Sequence, residues 1–384
     1  MKIGIVAGET SGDILGGRLM AAIRDRAGDV EFVGVGGESM LAQGLQALAP
    51  LEALAVNGFK DPILRSPSLF RLLRRLKRRF LAEPMDVVVG VDFNVFNFML
   101  ERAVKKRGMP TAHYVSPSVY AWRPGRIKRI AKTADAVLAL YPFEPPLYRD
   151  HGGRAVFVGH PLAGEIAADA GSVDARRRAR EALGATPDGF VVALLPGSRS
   201  SEIAYHGAIF LRTAACLRET FAEAEFLIPA PTRTVHDAMQ RVLAEVPVSG
   251  VRLVHGQSRK VIAAADLVLV KSGTATLEAM LLRRPMVVTY RMGRLSAWLI
   301  RRLKTSPYVA LPNILTGREL VPELLQEQAQ PERLTGALIE QYRRCQDDPA
   351  YLDTCAHWHE KLRQGGAGKA AEVVLSLTGW GTSG

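Results

Sequence analysis

Pro196-Gly197-Ser198-Arg199 and Lys271-Ser272-Gly273-Thr274 are small-residue turns, each closing an apolar β-rich run and opening a helical one. Glycine lets the main chain approach an anion closely, and the first turn of a helix offers N–H groups with no helical partner. Arg199 adds a guanidinium that can grip a diphosphate through two parallel hydrogen bonds. Ser272 and Thr274 add hydroxyls to a second cradle of the same kind, with Gly273 between them. Glu278, one turn further on, is placed to accept from both ribose hydroxyls, the task an acidic residue performs in dinucleotide folds. Taken singly, either run is also an ordinary capped helix start. Taken together they are the chemistry of a nucleoside diphosphate, and no Gly-Lys-Ser/Thr follows to make a Walker loop.

The first half of the chain carries different chemistry. Asp92 directly follows Val87-Val88-Val89-Gly90-Val91. A carboxylate at the carboxyl end of a buried parallel strand points into the crevice where ligands bind. Displacing a nucleotide from a sugar needs a base for the acceptor hydroxyl, and Asp92 is the candidate; a helix N-cap is its structural alternative. The first strand ends in Gly8-Glu9-Thr10-Ser11-Gly12-Asp13. This is not Gly-x-Gly-x-x-Gly, and two carboxylates repel phosphate, so Glu9 and Asp13 are expected to face sugar hydroxyls or to hold the loop. Ser116, Tyr120, Trp122 and Arg123 form a hydroxyl- and aromatic-rich stretch suited to sugar and acyl contacts, Arg123 being able to meet a phosphate. His113 reads as a structural histidine within a strand, and His160 as a second-line site residue. Asn313, in a loop before Gly317-Arg318-Glu319, is expected to read a base edge or the donor sugar.

Such residues need parallel sheets to position them. Apolar runs at 2–7, 31–35, 86–91, 111–115, 136–140 and 155–158 alternate with helical pattern, and a second series follows at 190–195, 224–228, 251–254, 267–270 and 286–289. Alternation of this kind predicts two doubly wound α/β domains. The boundaries expected are an acceptor domain at 1–164, a polar, Arg-rich linker at 165–187 and a nucleotide-sugar domain at 188–348. Helices at 349–384 are expected to cross back to the first domain.

The chain has 384 residues, 48% of them hydrophobic, and three cysteines with no CxxC. A disulfide scaffold or zinc site is disfavoured, and a reducing cytoplasm fits. The opening Met-Lys-Ile-Gly-Ile-Val reads as a buried strand, too short for a signal peptide. With 50 Lys+Arg against 38 Asp+Glu the formal charge is +12. Much of the excess lies at 65–79, where Arg74, Arg75 and Arg78 interleave with Leu69, Leu72, Leu73 and Leu76 at helical spacing. That is a basic amphipathic helix, fitted either to an anionic membrane surface or to an ordinary sheet-packed position. No aromatic RNA-binding signature accompanies the charge, so nucleic acid is disfavoured as a partner.

The motifs Gly-Glu-Thr-Ser-Gly-Asp at 8–13 and Tyr-Val-Ser-Pro-Ser-Val at 114–119 go beyond a generic nucleotide loop. With 194–199, 272–278 and 311–315 they make the chain resemble lipid-A-disaccharide synthases along nearly its whole length. The resemblance implies a GT-B fold, two Rossmann-like domains facing a central cleft. It implies an inverting glycosyltransferase with no metal and no cofactor. Its donor is UDP-2,3-diacylglucosamine, its acceptor 2,3-diacylglucosamine 1-phosphate and its product a β-1′,6 disaccharide phosphate. It further implies work at the cytoplasmic face of the Gram-negative inner membrane, with a homodimer left open. Two departures stand out: Val95 replaces an acid of the family's usual Asp-Ala-Pro-Asp-Phe-Asn, and Lys271 replaces an alanine before the second cradle. Against this reading stand a UDP-sugar epimerase of the same fold and a non-catalytic nucleotide-sugar or lipid-binding paralogue.

Overall fold

The computed structural model describes residues 1–54, 67–117, 125–293 and 306–380. The chain divides into two compact units, Met1–Gly164 with Leu362–Gly384, and Glu165–Lys361. The first holds a seven-stranded sheet in the order β3-β2-β1-β4-β5-β6-β7. Its strands are β1 (Lys2–Ala7), β2 (Glu31–Gly36), β3 (Leu45–Pro50), β4 (Val87–Val91), β5 (Thr111–Tyr114), β6 (Ala136–Ala139) and β7 (Ala155–Phe157). The second holds a six-stranded sheet in the order β10-β9-β8-β11-β12-β13. These are β8 (Val191–Leu195), β9 (Glu225–Ala230), β10 (Val251–His255), β11 (Leu267–Lys271), β12 (Met286–Tyr290) and β13 (Glu323–Leu325). Every pairing in both sheets is parallel. Two strands go beyond the apolar runs read from sequence, β3 and β13. Both are sheet edges, and neither shows the continuous burial of the inner strands.

β4 shows why the inner strands read so clearly. All five of its residues are buried. Val87, Val89 and Val91 join one apolar cluster with Leu15, Leu19 and Ile23 of the helix Thr10–Ala27 and with Val373 and Val374 of the helix Ala367–Leu377. Val88 joins the opposite cluster, with Leu69, Leu76 and Phe80 of the helix Pro67–Ala82 and Phe96 of the helix Asn94–Lys105. A strand covered on both faces must be apolar throughout.

The helix Pro67–Ala82 corrects one expectation. Leu69, Leu72, Leu73 and Leu76 are at most 9% exposed and pack into this core, so they are not available to enter a bilayer. Burying each is worth about 1.5–3 kcal/mol, which ties the stripe to the sheet. The exposed face is basic, with Arg71, Arg74, Arg75, Lys77 and Arg78, and carries one large apolar group, Phe70, with the Arg74 guanidinium 4.6 Å from its ring centroid.

Residues 165–187, polar in sequence, include the helix Val173–Leu183, whose Arg180 is 4% exposed. Arg180 donates to Ala264 O (2.9 Å), Pro187 O (2.8 Å) and Asp266 Oδ2 (2.6 Å), and Val191 N shares that carboxylate oxygen at 2.8 Å. The Arg-rich composition therefore serves packing inside the second unit. No helix among the described residues is long and apolar enough to cross a membrane.

Candidate functional site

In each sheet the strand order reverses at one point, between β1 and β4 in the first and between β8 and β11 in the second. Crossovers leave these points in opposite directions, so the strand-end loops part there and open a crevice. Four of the motifs singled out by residue chemistry fall on these strand ends. The loops of Gly8 and Asp92 follow β1 and β4, and those of Gly197 and Ser272 follow β8 and β11.

At the first switch point the backbone is held in an uncommon shape. Asp92 and Phe93 are consecutive left-handed residues, with φ of 48° and 45°. Each costs on the order of 1 kcal/mol or more, so the surroundings must impose the conformation. Asn97 does much of this. Fully buried, its amide donates to Asp92 O (2.8 Å), Val6 O (3.1 Å) and Val91 O (3.3 Å), stitching the ends of β1 and β4 together. Asp92 N donates to Tyr114 O at 2.8 Å. The Phe93 ring lies over Gly8, where a Cβ would come within 2.2 Å of it, so glycine is required there. Gly8, Glu9, Thr10, Ser11, Leu51, Glu52, Leu54 and Phe93 line a cavity of about 580 Å³. Partial burial lifts the Asp92 carboxyl above its ordinary pKa, partly offset by the Phe93 N–H and by charge on His113. That direction suits a general base, because a more basic carboxylate takes a proton more readily.

Neighbouring residues divide into lining and scaffold. Glu9 and Ser11 are exposed at the cavity, while Gly12 is buried, its missing Cβ facing Val91 O at 3.3 Å. Asp13 is a correction toward the structural alternative. It is 3% exposed, and its carboxylate accepts from Gly37 N (2.7 Å), Ser39 N (2.9 Å) and Met40 N (3.1 Å). Its lone pairs are committed to the next loop, not to a sugar. Ser116 is likewise drawn inward, with its hydroxyl 2.8 Å from the Tyr148 hydroxyl. Tyr120, Trp122 and Arg123 lie outside the described residues. His160 is 7% exposed; its ring Nδ1 accepts from Leu162 N at 3.2 Å, and its main-chain N–H donates to Leu362 O at 2.7 Å.

At the second switch point the groups are basic and glycine-lined. Gly197, Ser198, Arg199, Lys271, Gly273 and Thr274 border a cavity of about 390 Å³, together with Glu202, Pro229, Pro231 and Ser258. Gly197 has φ 144°, and a Cβ there would fall 2.5 Å from Glu202 Cβ, so the turn admits no side chain. Arg199 is the N-cap of the helix Ser200–Thr220, and its side chain is 61% exposed.

Glu202 was not singled out in the sequence and organises this cradle. Its carboxylate accepts from Ser198 N at 2.8 Å and Lys271 Nζ at 3.0 Å, with Arg199 Nη1 at 3.7 Å. The Lys271 bond, the Ser198 N–H and both nearby cations outweigh burial and hold its pKa below the ordinary value. Lys271 also sits 5.2 Å from the Tyr290 ring centroid. One turn on, His206 Nδ1 donates to Glu202 O at 2.8 Å, so its Nε2 accepts from Arg291 N at 2.9 Å. Burial lowers its pKa, in keeping with a neutral ring in those two roles. The signal for Glu202 was an acid three residues after the cradle arginine.

Two donor-side expectations change, those for Ser272 and Asn313. The Ser272 hydroxyl donates to Val309 O at 3.0 Å, so it ties the strand end to a neighbouring segment and does not border the cavity. Glu278 lies on the helix Ala275–Leu281 with its carboxylate 3.5 Å from Arg259 Nε, and burial raises its pKa. Asn313 is fully buried: its amide nitrogen donates to Val321 O and Glu323 Oε1, each at 2.9 Å, and its oxygen accepts from Leu320 N and Val321 N. An amide with both donors and both lone pairs used cannot read a base. Asn313 and Glu323 instead hold 309–321 against the sheet.

Sheets of this strand order, each opening its crevice at the switch point, define a two-Rossmann α/β enzyme of the GT-B class. A family model described as lipid-A-disaccharide synthetase matches residues 3–376. The lipid-A-disaccharide synthase of Alkalilimnicola ehrlichii is 46% identical over 387 residues, covering 99% of each chain. That of Chromobacterium violaceum is 43% identical over 382 residues, covering 98% of this chain and 97% of the relative. The chain belongs to the lipid-A-disaccharide synthase family. Among solved structures, the Neisseria meningitidis UDP-GlcNAc 2-epimerase bound to UDP-GlcNAc gives a TM-score of 0.61 at 13% identity, covering 98% of this chain and 99% of that one. The lipopolysaccharide glycosyltransferase WaaG gives 0.58 at 14% identity, covering 97% and 99%. At such identities the likeness is one of fold.

Proposed function

We propose that the chain transfers 2,3-diacylglucosamine from UDP to the 6-hydroxyl of 2,3-diacylglucosamine 1-phosphate, releasing UDP and a β-1′,6-linked disaccharide phosphate. The observation that carries the reading is the full-length identity to lipid-A-disaccharide synthases, joined to unlike chemistry at the two switch points. Asp92 takes the proton of the acceptor hydroxyl as its oxygen attacks the anomeric carbon. The new C–O bond forms on the face opposite UDP, the anomeric bond to the diphosphate breaks, and configuration inverts. Charge growing on the leaving diphosphate meets Arg199, Lys271 and the main chain of Gly197, Gly273 and Thr274. Electrostatic stabilisation of a developing charge by preorganised donors is usually the largest catalytic contribution.

Attachment to an anionic bilayer is assigned to the exposed basic face of the helix Pro67–Ala82, with Phe70 as its apolar contact. Each such cation near the surface contributes about 1 kcal/mol. The combined variant Arg74→Glu, Arg75→Glu, Arg78→Glu is expected to lose co-sedimentation with phosphatidylglycerol vesicles; unchanged binding removes this assignment.

Incubating the purified chain with radiolabelled UDP-2,3-diacylglucosamine and the monosaccharide phosphate tests the reaction. Disaccharide phosphate and UDP are expected. Isomerised donor in the absence of acceptor identifies an epimerase, and tight binding without product identifies a non-catalytic paralogue.

A further inference from the structure

Behind Asp92 lies a chain of polar groups that the proposed reaction has not used. Asn94 Nδ2 donates to Asp92 Oδ1 at 3.2 Å. Asn94 Oδ1 is 3.1 Å from His113 Nε2, and His113 Nδ1 is 2.7 Å from Glu101 Oε1. The side chains of His113 and Glu101 are both fully buried. They reach one another because Gly90, beside His113 in the β4–β5 register, leaves room; a Cβ there would lie 2.1 Å from Glu101 Oε1. The Phe98 ring lies against the imidazole at a centroid distance of 4.2 Å.

The order of these groups fixes their polarity. Turned the other way, the Asn94 amide would set its oxygen against the Asp92 carboxylate. With Nδ2 toward Asp92, its oxygen faces His113 and requires a proton on Nε2. A proton on Nε2 is compatible with two forms of the Glu101–His113 pair. A neutral carboxyl donates to Nδ1 and leaves the hydrogen on Nε2; a carboxylate holds the imidazolium, which carries both. In both forms the chain Glu101–His113–Asn94 presents a donor to one oxygen of the Asp92 carboxylate.

Resting on the assignment of Asp92 as base, we propose that Asn94, His113 and Glu101 are positioning residues that hold its carboxylate in the orientation needed to take the acceptor proton. None of the three needs to touch substrate. Their effect is to settle the Asp92 side-chain torsion before the acceptor arrives, so that less ordering remains at the moment of reaction.

The test uses the full chain with Asn94→Ala, His113→Gln, the two combined, and Asp92→Asn alongside. Asn94 is partly exposed in the first turn of its helix, where alanine folds readily. Each single change is expected to lower kcat by about 10- to 100-fold, with acceptor KM within about twofold, because transition-state geometry and not binding is lost. The combined variant is expected to be no slower than the slower single, as links of one chain do not add. UDP binding by calorimetry is expected to stay at the parental value throughout, reporting an intact second lobe. Unchanged kcat in Asn94→Ala, losses that multiply, or a loss confined to KM overturns the inference. Should His113→Gln not fold, kcat and KM of Asn94→Ala decide alone. Turnover that survives Asp92→Asn removes the base assignment itself; turnover lost in Asp92→Asn but intact in Asn94→Ala removes only the positioning chain.

Discussion

The two lobes share a strand order and differ in what they place at its reversal. The first sets a carboxylate, Asp92, on a strained turn whose next residue, Phe93, lines a cavity with Glu9 and Glu52, and ties that turn down with the buried Asn97 amide. The second sets Arg199 and Lys271 around a glycine turn and tempers them with one internal carboxylate, Glu202. The lesson is that topology supplies the crevice and the strand-end residues supply its sign. An acid-lined crevice repels phosphate and suits a hydroxyl to be deprotonated; a base-lined one suits a diphosphate.

The sharpest way to break this contrast is to neutralise one lobe and read both. Asp92→Asn is expected to lower kcat by about 100-fold or more while UDP affinity persists in calorimetry. Near-normal turnover would show that the first lobe holds no essential base. Arg199→Ala attacks the other side: UDP Kd is expected to rise by about 10- to 100-fold, the equivalent of about 1.5–3 kcal/mol for a charged hydrogen bond. An unchanged Kd would place the diphosphate elsewhere.

The contrast also has a titration signature. Asp92 is raised by burial and Glu202 lowered by its Lys271 bond. In carboxyl-carbon NMR Asp92 is expected to take up its proton at a higher pH than Glu202; the reverse order would invert the electrostatic picture. With Asp92 as the proposed base, active when ionised, the acid limb of kcat should lie above the ordinary aspartate value. Glu202 works in the other direction on stability. Its lowered folded-state pKa contributes stability that is present above the unfolded value and lost as pH falls through the folded one. The smallest effect is steric: Gly90→Ala should cost about 1–3 kcal/mol by overpacking against Glu101 and Asn97, read as a lower thermal midpoint.

What was legible in the sequence follows from how each group is used. The inner strands announce themselves because burial on both faces demands unbroken apolar runs, as in β4. β3 and β13, at the edges, lie under no such demand and show no such run. Three of the strand-end turns were visible because small residues and glycines cluster at the end of an apolar run; the fourth, after β4, was visible because a carboxylate, Asp92, directly follows one. Ser272 and Asn313 misled, and Asp13 stood open between two roles, because a polar residue on a turn serves a ligand or the neighbouring backbone equally well, and only the packed fold decides between them. Leu69, Leu72, Leu73 and Leu76 misled for a related reason: an amphipathic stripe fits a sheet as well as a lipid surface. Glu101 and Asn97 carried a signal that went unused, polar residues at i, i+4 on the buried face of a helix, where an ordinary core has none.

The helix Ala367–Leu377 contributes Ala370, Ala371, Val373, Val374 and Leu375 to the same apolar cluster as Ile3, Ile5 and Leu19. The ribosome makes the opening members of that cluster first and these last. The lobe that emerges earliest is therefore sealed latest, after the lobe encoded between its two parts has had time to condense. A released chain ending just short of Ala367 carries all of Glu165–Lys361 beside a sister unit whose hydrophobic interior still stands open.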